Sequence, residues 1–196
     1  MTEPVLRVEV SCPAWVEDFV DWERRYGSDQ DRMRLAVELS RENVEHETGG
    51  PFGAAIFEVG TGRLVSVGVN SVVRLDNSTL HGEIVAFMMA QRRLGSFTLA
   101  GAGMRAHELF TSCEPCAMCL GAALWSGVSR IVYGASGDDV RAVGFEEGPV
   151  FPQSHDYLTS RGVSLEGGLL RDDAKRVLER YRERQGTLYN RVPGVI

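Results

Sequence analysis

Two short motifs that lie far apart in the sequence place the strongest constraint on the fold. The first is His81-Gly82-Glu83, and the second is Cys116-Ala117-Met118-Cys119, which follows Pro115. An imidazole and two thiolates are ligands that zinc prefers in proteins. We therefore expect a fold that brings His81, Cys116 and Cys119 together around one zinc ion per chain.

Both motifs are predicted to begin helices. Pro115 suits the first turn of a helix, and Cys116 and Cys119 are spaced so that both sulfur atoms project to the same side. His81 is predicted to begin a helix of its own. Free backbone N–H groups and the helix dipole at such an end favour the thiolate form of cysteine. We therefore predict that two helix N-termini converge on one metal ion.

Glu83 distinguishes a catalytic zinc site from a structural one. Three protein ligands leave a fourth tetrahedral position for water, as a catalytic site requires. Glu83 is not needed as a ligand, so it can take a proton from that water and pass it to a nitrogen of the ring under attack. A later proton transfer would release an exocyclic amine as ammonia. The HxE and PCxxC combination is the signature of zinc deaminases that act on nucleobases.

Two other metal sites are compatible with the cysteine pattern. Cys113 could join His81, Cys116 and Cys119 in a closed four-ligand structural site, in which Glu83 would have no function. An iron–sulfur cluster would need a fourth cysteine, and the remaining one is remote in sequence. We favour the open site and predict that Cys113 is a small buried residue at the end of a strand.

Composition excludes several other classes of protein. The chain has 196 residues, of which 43% are hydrophobic and 24% charged, as is typical of one globular domain. No apolar run approaches the roughly 20 residues of a membrane helix, and the N-terminus lacks the pattern of a signal peptide, so we expect a cytoplasmic protein. The net charge of −6 argues against binding a long nucleic acid.

The N-terminal region is predicted to be a separate helical extension. Trp15, Phe19 and Trp22 form the apolar stripe of a short amphipathic helix that ends near Tyr26. A second helix is predicted to open at Ser28. We therefore divide the chain into a helical extension, residues 1–27, and a zinc-dependent deaminase domain with a C-terminal helix and tail, residues 28–196.

Within this domain the periodicity predicts an α/β fold. Two β-branched runs flank Gly60-Thr61-Gly62 and predict a β-hairpin. Helical and strand patterns alternate from there to a final helix that carries Ala174, Val177, Leu178 and Tyr181 on one face. A single three-layer α/β domain is the simplest architecture for this pattern.

At these residues the chain resembles the cytidine deaminase superfamily and, within it, guanine deaminases, including those that accept aminotriazines such as ammeline. The resemblance covers roughly Gly49 to Arg191 and rests on GGPFGA, TSCEPCAMCLGAALWSG, DDVRAVGFEEGP, and GLLRDDAK followed by TLYN. It implies a three-layer α/β/α cytidine-deaminase-like fold with a central mixed five-stranded sheet. It also implies a homodimer in which the C-terminal segments cross to the partner.

The resemblance assigns roles to individual residues. His81, Cys116 and Cys119 match the zinc ligands, and Glu83 matches the proton shuttle. Glu147, the second acid of GFEEGP, matches a carboxylate that binds the substrate edge and helps to move protons toward the leaving amine. An ionised carboxylate can accept from the rows of N–H donors that guanine and aminotriazines present.

Four further residues match the substrate pocket of the family. Asn70 matches an asparagine that offers a donor and an acceptor to a purine edge. Phe52 and Trp125 match aromatic walls that sandwich a flat ring, and Tyr189 closes the pocket from the tail. Gly82 departs from the family, which usually has alanine there, and the missing methyl group predicts a roomier pocket.

These features predict hydrolytic deamination of a free aminated heterocycle. The expected substrate is guanine, which would be converted to xanthine, and ammeline is a related substrate. A cytosine, nucleoside or specialised-pathway deaminase is the alternative. A tRNA adenosine deaminase is disfavoured because a polyanionic substrate calls for a basic surface, whereas this chain is acidic. A zinc-binding module without enzymatic activity is the alternative from a different class.

Overall fold

A computed structural model describes residues 5–189 of the chain. The elements within this range follow in the order α1 (Trp15–Phe19), α2 (Asp29–Glu45), β1 (Gly53–Glu58), β2 (Arg63–Val69), α3 (Gly82–Leu94), β3 (His107–Cys113), α4 (Ala117–Ser126), β4 (Arg130–Ala135), α5 (Gly137–Ala142), α6 (Pro152–Ser160), β5 (Ser164–Gly167) and α7 (Arg171–Glu183). No helix between residues 5 and 189 is both long and apolar enough to cross a membrane.

The five strands form one mixed sheet in the order β2-β1-β3-β4-β5. The strand β1 pairs antiparallel with both β2 and β3, whereas β3, β4 and β5 run parallel. Because the parallel strands β3 and β4 end at the same edge, the segments that follow them lie side by side. The predicted five-stranded mixed sheet is confirmed.

Helices cover both faces of the sheet and complete three layers. One core lies between the sheet and the helices α2 and α7, where Phe57 and Phe110 are fully buried against Leu39 and Leu178. A second core lies between the opposite face and α3, α4 and α6. The three-layer α/β/α architecture predicted from the sequence is therefore confirmed.

Local sequence explains where two of the elements begin. Ser28 caps α2 because its side chain accepts a hydrogen bond from the backbone N–H of Asp31. The hairpin between β1 and β2 turns at Gly60 and Gly62, which both have positive φ angles. Both features agree with the predicted helix start and hairpin.

The first helix is shorter than predicted. We expected it to continue to Tyr26, but α1 ends at Phe19 and Val20 is extended. Asp21 then accepts hydrogen bonds from the backbone of Glu23 and Arg24, which stabilise a turn instead of a helix.

The helix α6 was not predicted, because only Leu158 of its residues is buried and it shows little apolar periodicity.

The helix α3 lies unusually close to strand β2. A Cβ atom added to Gly68 would lie 2.1 Å from the carbonyl oxygen of Gly82 and 2.4 Å from the backbone nitrogen of Ala86. Such distances are far shorter than van der Waals contact, so glycine at this position permits the approach. This contact fixes the start of α3, and therefore His81, relative to the sheet.

Candidate metal centre and active site

The structure brings His81, Cys116 and Cys119 together. The Nδ1 atom of His81 lies 3.4 Å from the Sγ atom of Cys116 and 3.7 Å from that of Cys119. All three ligand atoms lie within 4.8 Å of one another. A tetrahedral zinc site with ordinary bond lengths holds its nitrogen and sulfur ligands about 3.5 Å apart. The donor set and its spacing therefore fit a zinc ion.

Two helix N-termini supply these ligands, as predicted. His81 is the N-cap of α3 and Cys116 the N-cap of α4, and Cys119 follows in the first turn of α4. The helix begins at Ala117, two residues later than predicted, so Pro115 precedes it instead of lying in its first turn. Cys113, at the end of β3, is buried and does not belong to the ligand cluster found among residues 5–189.

The two ligand cysteines differ in their affinity for protons. A hydrogen bond from Cys119, together with His81, lowers the pKa of Cys116 to about 4. The same contact and burial raise the pKa of Cys119 well above its usual value. One thiolate is therefore already favoured before a metal ion binds, and metal binding must displace the second proton.

Glu83 lies beside the ligand cluster in the first turn of α3. It is 6% exposed, and its pKa is raised by burial and by the negative charge of Cys116. A carboxyl group with a raised pKa is a stronger proton acceptor than an ordinary glutamate, and it can release the proton again. This is the property that a proton shuttle requires.

Glu147 forms a second buried carboxyl group near the ligands. Its backbone carbonyl accepts a hydrogen bond of 3.0 Å from the N–H of Ala117, which attaches its loop to the start of α4. Burial, followed by the charges of Cys116 and Glu83, raises the pKa of Glu147 to about 9. Zinc carries two positive charges, so we expect this pKa to be lower in the zinc-loaded protein.

Asn70 is fully buried where strand β2 ends. Its Oδ1 atom accepts hydrogen bonds from the backbone N–H groups of Gly50 (3.3 Å) and Val72 (3.4 Å). Its Nδ2 atom is buried and has no hydrogen-bond partner among the residues that the structure describes. An unpaired buried donor is costly, so this amide is suited to a polar ligand.

Aromatic side chains gather on one side of the ligand cluster. The ring of Phe52 packs edge-on against that of Phe145, with centroids 5.0 Å apart. The ring centroid of Tyr189 lies 5.1 Å from that of Phe145 and 6.2 Å from that of His81. The hydroxyl of Tyr189 is buried without a hydrogen-bond partner in the described part of the chain. Phe145 was not predicted as a site residue, although its place in GFEEGP, two residues before Glu147, could have indicated it.

Trp125 lies at a different place from the other predicted pocket residues. It is on the surface of α4 and 83% exposed, so a single chain does not enclose it in a pocket. Its contact with a substrate stays a prediction.

The methyl group that Gly82 lacks would not point into open space. A Cβ atom at this position would lie 3.3 Å from the carbonyl oxygen of Phe52 and 3.5 Å from that of Gly68. The room that glycine provides therefore lies against the backbone of Phe52 and β2. An effect on substrate choice would have to act through the position of Phe52.

Comparisons with known proteins agree with this site. Residues 27–135 match the cytidine and deoxycytidylate deaminase zinc-binding region. The guanine deaminase of Bacillus subtilis (strain 168) is 36% identical over 121 residues, which are 62% of this chain and 73% of that protein. A solved structure of guanine deaminase from Nitrosomonas europaea is 38% identical, with 93% of this chain and 100% of that chain covered and a TM-score of 0.87. A mutant protein solved in complex with 8-azaguanine is 38% identical, with the same coverage and a TM-score of 0.88.

Proposed function

The chain belongs to the zinc-binding cytidine and deoxycytidylate deaminase family, and from this membership we propose that it deaminates free guanine. In this reaction guanine and water give xanthine and ammonia. The observation that carries the proposal is a buried carboxyl group, Glu147, near Cys116 and Glu83, and the unpaired Nδ2 donor of Asn70 supports it. The similarity to guanine deaminases over most of the chain supports the same substrate.

The protein is a zinc-dependent hydrolytic deaminase, and His81, Cys116 and Cys119 would hold the ion. Zinc, when bound, acts as a Lewis acid and makes water a nucleophile near neutral pH. Glu83 takes one proton from the attacking water and gives it to a ring nitrogen, and it then carries the second proton of that water to the amine, which leaves as ammonia. Its burial excludes bulk water from this transfer.

Glu147 and Asn70 orient the ring. The ionised carboxylate of Glu147 accepts hydrogen bonds from adjacent N–H groups of guanine. The free Nδ2 donor of Asn70 matches a ring nitrogen or carbonyl acceptor. Phe52 contacts the flat face of the ring, and Tyr189 closes the pocket from the tail. Because Tyr189 lies beside His81, a ribose attached to the base would have to fit beside the tail, so we expect the free base to be the better substrate.

Substrate preference tests this proposal directly. We expect kcat/KM for guanine to exceed the values for guanosine and cytosine, measured by ammonia release on one preparation of the enzyme. Ammeline and adenine complete the panel, because they test the width of the specificity. Greater activity on cytosine or guanosine than on guanine would contradict the proposal and favour a cytosine or nucleoside deaminase.

Replacing Glu147 with glutamine should retain zinc and lose much of the activity on guanine. Loss of a hydrogen bond to a charged group costs on the order of 1.5 to 3 kcal/mol, or roughly 10- to 150-fold in rate if the contact tightens in the transition state. Glu146→Gln is the matched control, because Glu146 is the exposed neighbour in the same loop. Equal rates for the two variants would exclude Glu147 from substrate binding.

We also infer that the protein forms a homodimer. Exposed apolar side chains on α3, on α4 and in the segment after α3 support this inference: Trp125 and Phe97 are 83% and 89% exposed, and Met88 is partly exposed. The segment of Phe97 is attached to the end of α4 by a 2.7 Å hydrogen bond from the N–H of Leu99 to the carbonyl of Ser126. Exposed aromatic side chains of this kind are typical of protein interfaces.

Exchange of C-terminal segments is the second part of this inference. Within one chain, α7 buries Ala174, Val177, Leu178 and Tyr181 against its own core, and Tyr189 lies at its own site. An exchanged dimer would make the same contacts with the partner. Sedimentation equilibrium should give a dimer for the wild type and a larger monomer fraction for Trp125→Glu. A monomeric wild type would contradict the inference.

A further inference from the structure

A chain of hydrogen bonds connects the N-terminal helix α1 to Asn70. The Nε1–H group of Trp15 donates to the Oγ1 atom of Thr48 (3.0 Å), and the hydroxyl of Thr48 donates to the Oδ1 atom of Asn43 (2.7 Å). The Nδ2 group of Asn43 then donates to the backbone carbonyls of Gly50 (2.8 Å) and Asn70 (2.9 Å). Five residues from four segments are thereby joined.

The direction of every donor in this chain is fixed by chemistry. The indole of tryptophan can only donate, so Thr48 must accept from it and give its single proton to Asn43. This orients the amide of Asn43, whose oxygen faces Thr48 and whose nitrogen faces two carbonyl groups. A reversed amide would place its oxygen against those carbonyls, which is unfavourable in a fully buried side chain.

The chain ends at the groups proposed to hold the base. The N–H of Gly50 donates to the Oδ1 atom of Asn70, and the N–H of Asn70 donates to the carbonyl of Phe52 (3.0 Å). The Oδ1 contacts orient the side-chain amide, and its Nδ2 donor stays buried without a partner among the described residues. A Cβ atom added to Gly50 would lie 2.4 Å from the hydroxyl of Tyr189, so the tail contacts the same loop.

We propose that Thr48 and Asn43, anchored by Trp15 of the N-terminal helix, are positioning residues that hold Asn70 and the Gly50–Phe52 loop in the geometry that binds the base. Trp15 lies outside the matched family region, which begins at residue 27. It is held in place by stacking on His46, with ring centroids 5.3 Å apart, while Val16 and Val20 are buried in the core. The N-terminal segment thereby contributes to substrate binding without touching the substrate. This inference rests on the proposed deamination of guanine.

The test compares two substitutions of Thr48, one that removes the hydroxyl group and one that keeps it. Thr48→Val keeps the shape of the side chain and removes the hydroxyl that links Trp15 to Asn43, whereas Thr48→Ser keeps that hydroxyl. We expect Thr48→Val to raise KM for guanine roughly 2- to 12-fold, the effect of one neutral hydrogen bond, with little change in kcat or zinc content. Thr48→Ser should restore the wild-type KM. Thr61→Val is the control, since Thr61 donates a comparable hydrogen bond to Glu58 at the opposite end of β1.

A second measurement does not depend on activity. Hydrogen exchange at the Gly50 amide should be at least about threefold faster in Thr48→Val than in Thr48→Ser, because the loop loses its anchor. Trp15→Phe, which keeps the stacked ring and loses the donor, should change both readouts in the same direction. Its effect should not add to that of Thr48→Val in the double variant.

The outcomes separate this inference from the proposed function. A wild type that fails to deaminate guanine overturns the proposed function, and the exchange rates then decide the inference on their own. A Thr48→Val variant with wild-type KM and wild-type exchange overturns the inference while the proposed function stands. Equal losses in Thr48→Val and Thr48→Ser, with reduced kcat and zinc, would assign Thr48 a merely structural role and also overturn it.

Discussion

Glu83→Gln is expected to keep its zinc and lose nearly all activity. Glutamine has almost the same shape as glutamate, so the first turn of α3 and the ligand His81 should stay in place. An amide cannot take the proton of the attacking water, and proton transfer of this kind contributes roughly 10²- to 10⁴-fold to the rate. Ammonia release at saturating guanine and elemental analysis on the same sample measure both quantities.

The control for this substitution is Glu179→Gln, which makes the same chemical change at an exposed position of α7. It should leave the rate within a factor of about two, as is usual for surface positions away from a site. If Glu83→Gln kept a large share of the wild-type rate, Glu83 could not be the proton shuttle. Proton transfer would then have to depend on Glu147.

Cys116→Ala is expected to remove zinc and activity together. Two protein ligands remain in this variant, and a catalytic zinc site is held by three. Zinc per chain should fall from about one to near zero, and guanine turnover should fall to background. The zinc content is measured by elemental analysis after dialysis, since a weakly held ion exchanges into the buffer.

Cys113→Ala tests the ligand set from the other side. Cys113 is buried at the end of β3 and lies outside the ligand cluster, so its removal should retain both zinc and activity. Loss of zinc from this variant would mean that Cys113 is a fourth ligand. The site would then be closed and structural, and the proposed mechanism would not apply.

The clustering of His81, Cys116 and Cys119 could be predicted because its geometry is largely local. Cys116 and Cys119 lie on one turn of α4, and a helix start at His81 follows from the residues around it. Only the meeting of the two helices is a tertiary property. The alternation of strands and helices already predicted that both helices pack against one sheet. Chemistry supplied the remaining constraint, because these three side chains share a preference for zinc.

The support for Asn70 could not be predicted from the sequence. Asn43 lies in the last turn of a helical pattern, and nothing in that pattern indicates that it is buried, whereas Trp15 belongs to an apolar stripe. Their relation to Thr48 depends on how α1 packs beside the end of α2, which no periodicity specifies. The same limit applies to Trp125, because an aromatic residue on a helix can face either the core or the solvent.

The close contact at Gly68 determines which sequences can carry this site. Any side chain there would displace α3 from β2 and carry His81, the cap of that helix, away from the cysteines. Gly121, on α4, has nothing within 4 Å of an added Cβ atom, and alanine there would favour the helix by about 1 kcal/mol. For protein engineering, Gly68 therefore has to be kept. Replacing Gly121 with alanine should stabilise α4 and leave the positions of the metal ligands unchanged.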